Sequence, residues 1–144
     1  AQNPVSISQS GLIDLYKLTN YSTGDPTKAV LVEMKGADLK QFILQRCDNF
    51  GDIDLQVSGL TYVYDAAAGT IEVSGVNDDQ LYKVALNSKL YSEQYNEHDF
   101  ADFNIEVTEL STSTKTEEQM LIEHVQSLGT ITTSYQEARA QLSQ

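Results

Sequence analysis

The stretch from Asp52 to Gly75, DIDLQVSGLTYVYDAAAGTIEVSG, restricts the fold more than any other part of the chain. Ile53, Leu55 and Val57 alternate with Asp54, Gln56 and Ser58, and Ile71 and Val73 alternate with Thr70, Glu72 and Ser74. A period of two sends successive side chains to opposite faces of a strand, one toward a core and one toward water. Between these runs Leu60, Tyr62 and Tyr64 share one strand face, and Asp65-Ala-Ala-Ala-Gly69 is a turn insert whose glycine is free to take a positive φ. The stretch predicts two or three strands folding back on one another.

The flanks add further elements. Residues 1–10, AQNPVSISQS, are polar and read as an N-terminal arm. Leu12–Thr19 and Ala29–Lys35 are apolar-rich runs joined by the turn-forming loop Asn20–Thr27, which predicts a hairpin with Val30, Val32 and Met34 facing the core and Glu33 facing out. From Ala37 to Cys47 the period becomes helical, through Leu39, Phe42, Ile43 and Cys47, with Asp38 at the positive end of the helix dipole and Gly36 permitting the change of direction. Asn77, with Gln80 three residues on, predicts an N-cap, followed by a helix whose face carries Leu81, Val84, Ala85, Ser88, Tyr91 and Tyr95. Taken alone, Leu81–Leu86 also fits a strand. Phe103, Ile105 and Val107 alternate as a last strand, and 111–116 reads as a polar linker. Beyond it Leu121, Leu128, Tyr135 and Leu142 recur every seven residues, joined by Val125, Ile131 and Ala138, as an apolar stripe on a C-terminal helix. Gly129 and the Thr130–Ser134 patch weaken that helix in its middle, where a break would leave two shorter ones.

The expected fold class is therefore α+β: a single domain with a largely antiparallel sheet, two helices and a C-terminal amphipathic helix. Its expected division is an arm at 1–10, the α+β domain at 11–110, a linker at 111–116 and the last helix at 117–144. In element order, Ala37–Leu110, with GTIEVSG followed by a polar turn and a helix, is similar to BON-like and secretion ring-building modules. That resemblance implies assembly with other subunits.

Composition removes several functions. With 21 acidic against 9 basic residues the formal charge is −12, and Lys28, Lys35, Lys40 and Arg46 are scattered among acids, so nucleic acid is not an expected partner. No apolar run reaches the ~18 residues of a membrane-spanning helix, and no membrane insertion is expected. The single cysteine, Cys47, excludes a disulfide within the chain. The start, Ala1-Gln-Asn-Pro4, has neither the basic nor the apolar part of a signal peptide, which fits a trimmed initiator methionine or a mature chain. A virion or cytoplasmic setting follows from the first reading and a periplasmic or secreted one from the second.

The sequence holds no HExxH, CxxC, GxSxG, P-loop or GxGxxG pattern. Glu97, His98, Asp99 and Asp102 are its densest group of candidate metal ligands, and Asp48, Asp52 and Asp54 a second, but both read better as solvated acidic loops. Cys47 lies on the apolar stripe of its helix and reads as a buried thiol, and His124 flanks the seam of the last helix. Asn20-Tyr-Ser22 matches a glycosylation acceptor. No catalytic residue, cofactor or metal is expected, and the protein is expected not to be an enzyme.

Eight tyrosines without a tryptophan suit a surface buried against a protein partner. The expected partner-binding residues are Tyr62, Tyr64, Leu121, Val125, Leu128, Tyr135 and Leu142. The expected function is a structural or assembly subunit of a larger particle, a phage virion component or a secretion-type ring, contacting neighbouring copies or other subunits through its arm and last helix. The alternatives are a periplasmic or secreted binding module and a small metal-dependent protein or enzyme.

Overall fold

The computed structural model describes residues 27–96, 99–129 and 140–143. The expected arm and the first half of the expected hairpin, Leu12–Thr19, lie outside these residues. The fold is α+β, a small single domain with antiparallel sheets and a few helices, as expected. In chain order the elements are β1 (Lys28–Lys35), α1 (Gly36–Phe50), β2 (Thr61–Asp65), β3 (Thr70–Ser74), β4 (Leu81–Asn87), α2 (Ser88–Asn96), α3 (Asp99–Asp102), β5 (Thr108–Thr116), α4 (Glu117–Leu128) and β6 (Ala140–Leu142). Two three-stranded sheets run β4-β1-β5 and β3-β2-β6.

In the first sheet β1 pairs antiparallel with both neighbours, from Ala29↔Asn87 to Lys35↔Leu81 on one side and from Lys28↔Thr116 to Glu33↔Thr108 on the other. Val30, Val32 and Met34 are buried, as their alternation requires. In the second sheet β2 and β3 form the expected hairpin, Thr61↔Ser74 to Asp65↔Thr70, and Gly69 turns it at φ 62°. The Asp65 carboxylate accepts the N–H groups of Ala67 and Ala68 across that turn. Helix α1 packs against β1 and β3, so its buried side chains Leu39, Phe42, Ile43 and Cys47 join both sheets in one core. Phe42 stacks on Phe100 with ring centroids 5.3 Å apart, tilted at 45°.

Five expectations are corrected. Ile53–Val57 is not a strand; the segment is irregular, with Ile53, Leu55 and Val57 half-buried against the core and its backbone fastened where the Leu55 carbonyl accepts the Tyr62 hydroxyl at 2.7 Å. The helix expected from Asn77 begins only at Ser88, because Leu81–Asn87 is β4, with Tyr82, Val84 and Leu86 turned toward the core. The cap signature at Asn77 and Gln80 is a turn, Gln80 N–H to Asn77 O at 3.2 Å. Phe103–Val107 is not a strand either. Asn104, at φ 54°, ends α3 in a turn in which the Ile105 N–H reaches Phe100 O at 2.6 Å, and Ile105 is buried in the core. The expected linker at 111–116 is part of β5, an edge strand whose side chains lie mostly in solvent and so carry no alternating signal. Finally, the helix expected over 117–144 ends at Gly129, whose φ of 69° closes α4, and Ala140–Leu142 is a strand.

Among the described residues, Gln45 is the buried side chain whose polar atoms lack a hydrogen-bond partner. It is 2% exposed on α1, and neither Nε2 nor Oε1 has a hydrogen-bond partner. A buried polar group left unpaired costs about 1–3 kcal/mol. Gln45→Met keeps the volume and removes both polar atoms, so its urea midpoint should rise by the equivalent of about 1 kcal/mol. A lower midpoint would show that the amide is paired in solution.

Candidate functional site

The described members of the expected partner-binding set do not form one surface. Tyr62 and Tyr64 are 1% and 2% exposed inside the domain's own core. Burial and then the adjacent Cys47 push the Tyr62 hydroxyl well above the ordinary tyrosine range. A hydrogen bond of 2.9 Å to the Asp48 carboxylate, followed by burial, pushes Tyr64 up as well. On α4, Leu121 and Val125 are half-buried and Leu128 is exposed. Leu142 belongs to β6 instead, and Tyr135 lies outside the described residues. The stripe these residues were expected to share is broken at Gly129.

Of the candidate metal ligands, Asp48, Asp52 and Asp54 are engaged elsewhere. Asp54 pairs with Arg46 at 2.6 Å, the Asp52 carboxylate accepts the Ile53 N–H, and Asp48 is held by Tyr64. Glu97 and His98 lie outside the described residues. Among the described residues no three His, Cys, Asp or Glu side chains are grouped to hold a metal ion. Cys47 is fully buried, and its thiol faces the Tyr62 hydroxyl at 3.9 Å. His124 is exposed on α4.

The polar convergence in the structure lies elsewhere, at one end of the first sheet. Because β4 and β5 both run antiparallel to β1, their C-terminal ends arrive together beside the start of β1, and α2 and α4 begin there. One oxygen of Glu117, Oε2, accepts the Thr27 hydroxyl at 2.5 Å and the Asn87 amide at 2.7 Å. The Glu117 N–H in turn donates to Thr27 O at 2.8 Å. Asn87 uses its other end as a cap, its Oδ1 accepting the N–H groups of Lys89 and Leu90 in the first turn of α2. A capping box closes α4, with Thr116 and Gln119 each accepting the other's backbone N–H. Ser88 and Ser113 take the N–H groups of Lys28 and Ala29, both at 3.0 Å, where an irregular β1–β5 register leaves Ala29 without a partner residue on β5.

This corner sets a carboxylate, an amide and several hydroxyls, all half-buried or buried, at the origin of two helices. The N–H groups of Lys89, Leu90 and Gln119 at the helix starts are already taken by side-chain caps, so the corner does not offer the open backbone cradle that binds phosphate. Its chemistry suits neutral hydrogen-bonding groups such as hydroxyls and ring amides. Sequence reading missed it because its members lie on three separate segments, and because β5, which carries Ser113 and Thr116, read as a linker. Asn87 before Ser88, an N-cap signature of its own, and the Thr116-Glu-Glu-Gln119 capping-box pattern are the signs the sequence carries.

Comparison with known proteins bears directly on this arrangement. The family model described as the 5'-nucleotidase C-terminal domain matches residues 2–96, a span that takes in β1 through α2 and hence Thr27, Asn87 and Ser88. Among solved structures, a 5'-nucleotidase precursor from Thermus thermophilus is similar at 15% identity and a TM-score of 0.61, over 81% of this chain and 25% of that one. An NAD nucleotidase from Haemophilus influenzae is similar at 14% identity and a TM-score of 0.61, over 92% of this chain and 26% of that one. The chain thus spans about a quarter of the length of these structures, and at such identities the likeness is one of fold. No match is found among curated protein sequences. The expectation of a non-catalytic assembly subunit, a virion component or secretion ring, is overturned, and with it the expectation that the protein is no enzyme, because the family and both neighbours are nucleotidases. With more than half of its residues matched by the family model, the chain belongs to the 5'-nucleotidase C-terminal domain family.

Proposed function

We propose that the chain works in nucleotide hydrolysis, as the domain of a 5'-nucleotidase-type enzyme that holds the nucleoside part of the substrate at the corner where α2 and α4 begin. The family match across β1–α2 carries this reading. The chemistry of the corner accords with it: ribose hydroxyls and base edges are neutral hydrogen-bonding groups, which Asn, Thr, Ser and an oriented carboxylate match in kind. The charge agrees as well, since a domain carrying a formal −12 repels a phosphate over roughly a Debye length, ~8–10 Å at physiological salt. The phosphate end of a substrate would be held and cleaved by other parts of the enzyme.

The test is a titration of the isotope-labelled full chain with adenosine and with AMP, following backbone amide shifts. Saturable changes centred on residues 27–29, 87–90 and 113–117 are expected, with AMP binding no more tightly than adenosine. Changes confined to other surfaces, or none at millimolar ligand, would overturn the assignment of the corner.

A further inference from the structure

The backbone of β6 ties it to the rest of the domain. It runs parallel to β2 in the register Tyr62↔Ala140, Val63↔Gln141 and Tyr64↔Leu142, and the Ser143 N–H extends the ladder to Tyr64 O at 2.7 Å. Gln141 is exposed, Leu142 is 46% exposed, and Ala140 alone of the three packs half-buried against the core.

The strand that β6 covers is, by contrast, central. β2 carries the buried Tyr62 and Tyr64, and with β6 removed its outer side would be a row of unpaired N–H and C=O groups. Natural edges are blunted by proline, lysine or inward charge. β2, Thr-Tyr-Val-Tyr-Asp, has none of these except Asp65 at its end. Its outer side is therefore a template for strand addition, and the register prescribes the occupant: an uncharged parallel strand with a small residue beside Tyr62.

We propose that this edge of β2 is a strand-docking site whose second occupant is the C-terminal segment of another copy of the chain, giving a reciprocal strand-exchanged dimer. The exchanged contacts are identical to those within one chain, so complementarity is complete without new surface. Ten residues separate Gly129 from Ala140. Extended, that many residues reach at most ~35 Å, against a radius of gyration of ~15 Å for a domain of this size, so the segment is long enough to reach a neighbour. Closure within one chain is favoured at low concentration, because a short covalent connection holds the strand at an effective concentration of up to roughly millimolar. Exchange therefore grows with protein concentration.

The test uses full-length chains in a Cys47→Ala background. One carries Val63→Cys and the other Gln141→Cys, in-register partners of the β2–β6 ladder. Concentrated together and then oxidised, they are expected to form a disulfide-linked heterodimer, at a yield that rises with concentration. A single chain carrying both substitutions should close on itself when dilute. If the double variant closes but the mixture gives no heterodimer, exchange does not occur and the proposal fails. It fails equally if the double variant does not close, because β6 then does not occupy β2. A heterodimer formed as readily when Glu72→Cys, on the far strand β3, replaces Val63→Cys would show random cross-linking and overturn it too.

Discussion

Gly36→Ala is expected to destabilise the domain by about 3 kcal/mol or more, a fall of about 10 °C in Tm for a chain of this size. Gly36 joins β1 directly to α1, and a methyl group there would meet the Asn77 carbonyl oxygen at 2.0 Å, its carbon at 2.8 Å and Val76 Cγ1 at 2.9 Å. The nearest obstacle is backbone, which cannot rotate aside as a side-chain tip would. That backbone is also tied down. The Gly36 and Ala37 N–H groups, which open the helix and have no partner inside it, donate to Gln80 O at 2.9 Å and Asp78 O at 3.1 Å. Lys35, the N-cap position, provides no side-chain cap, so the 77–80 turn caps the helix through its carbonyls. Lys40 reinforces it with an ion pair to Asp78 at 2.6 Å. Displacing the turn to admit a methyl group would strip the helix start of these partners. Gly51→Ala is the control. Its φ of 66° is strained for alanine but its surroundings are open, so a loss of about 1 kcal/mol is expected. Denaturant unfolding of the two variants beside the parent decides the matter. Equal losses would mean that the turn gives way cheaply and does not cap α1 as a rigid piece.

The same turn shows how far the residues alone can be read. Asn77 and Gln80 do mark a capping element, but the helix it serves lies forty residues earlier in the chain, a relation local spacing does not record. Where one face is buried and the other wet, as in β1, α1 and the β2–β3 hairpin, the period of the apolar residues appears in the sequence and the element is legible. Leu81–Asn87 satisfies both periods at once, because Val84 lies on the inner face in either register, and pairing with β1 decides in favour of the strand. β5 is illegible for the opposite reason. An edge strand such as TELSTSTKT buries almost nothing, so its place in the sheet comes from the β1 backbone it pairs with and leaves no trace in hydrophobicity. The heptad from Leu121 to Leu142 is a true repeat over its first half, where Leu121 and Val125 are half-buried on α4. Gly129 then ends the helix. Tyr62 and Tyr64 do share one strand face, but whether that face meets a partner or the domain's own helix depends on α1, a tertiary fact. The corner at Glu117 is hidden most completely, since Thr27, Asn87 and Glu117 are brought together only by two strands flanking a third.

That corner supplies the second large effect. Glu117→Ala is expected to cost about 3 kcal/mol, although Glu117 is only half-buried, because one carboxylate oxygen serves two elements at once. Removing it leaves the Thr27 hydroxyl and the Asn87 amide without their acceptor, and hydrogen bonds to a charged group contribute about 1.5–3 kcal/mol each, reduced here by the water that partial exposure admits. The loss passes into α2. Asn87 caps that helix with Oδ1 while Glu117 holds its amide end, so an Asn87 side chain free to rotate no longer fixes the N–H groups of Lys89 and Leu90. Two companion variants separate these contributions. Glu117→Gln keeps an oxygen acceptor in place and should cost about 1 kcal/mol, the difference between a charged and a neutral hydrogen bond. Thr116→Ala removes the cap of α4 without touching the carboxylate and should also cost about 1 kcal/mol. Hydrogen exchange completes the test: Glu117→Ala should speed exchange of the Lys89 and Leu90 amides, which lie on another element, whereas Thr116→Ala should speed that of Gln119 alone. If Glu117→Ala costs no more than Thr116→Ala and leaves α2 protected, the carboxylate is a surface group and the ends of β4 and β5 are ordered by strand pairing only. If the expected order holds, the carboxylate fixes the start of α2 from across the sheet, and the polar groups assigned to the nucleoside are held in place before any ligand arrives.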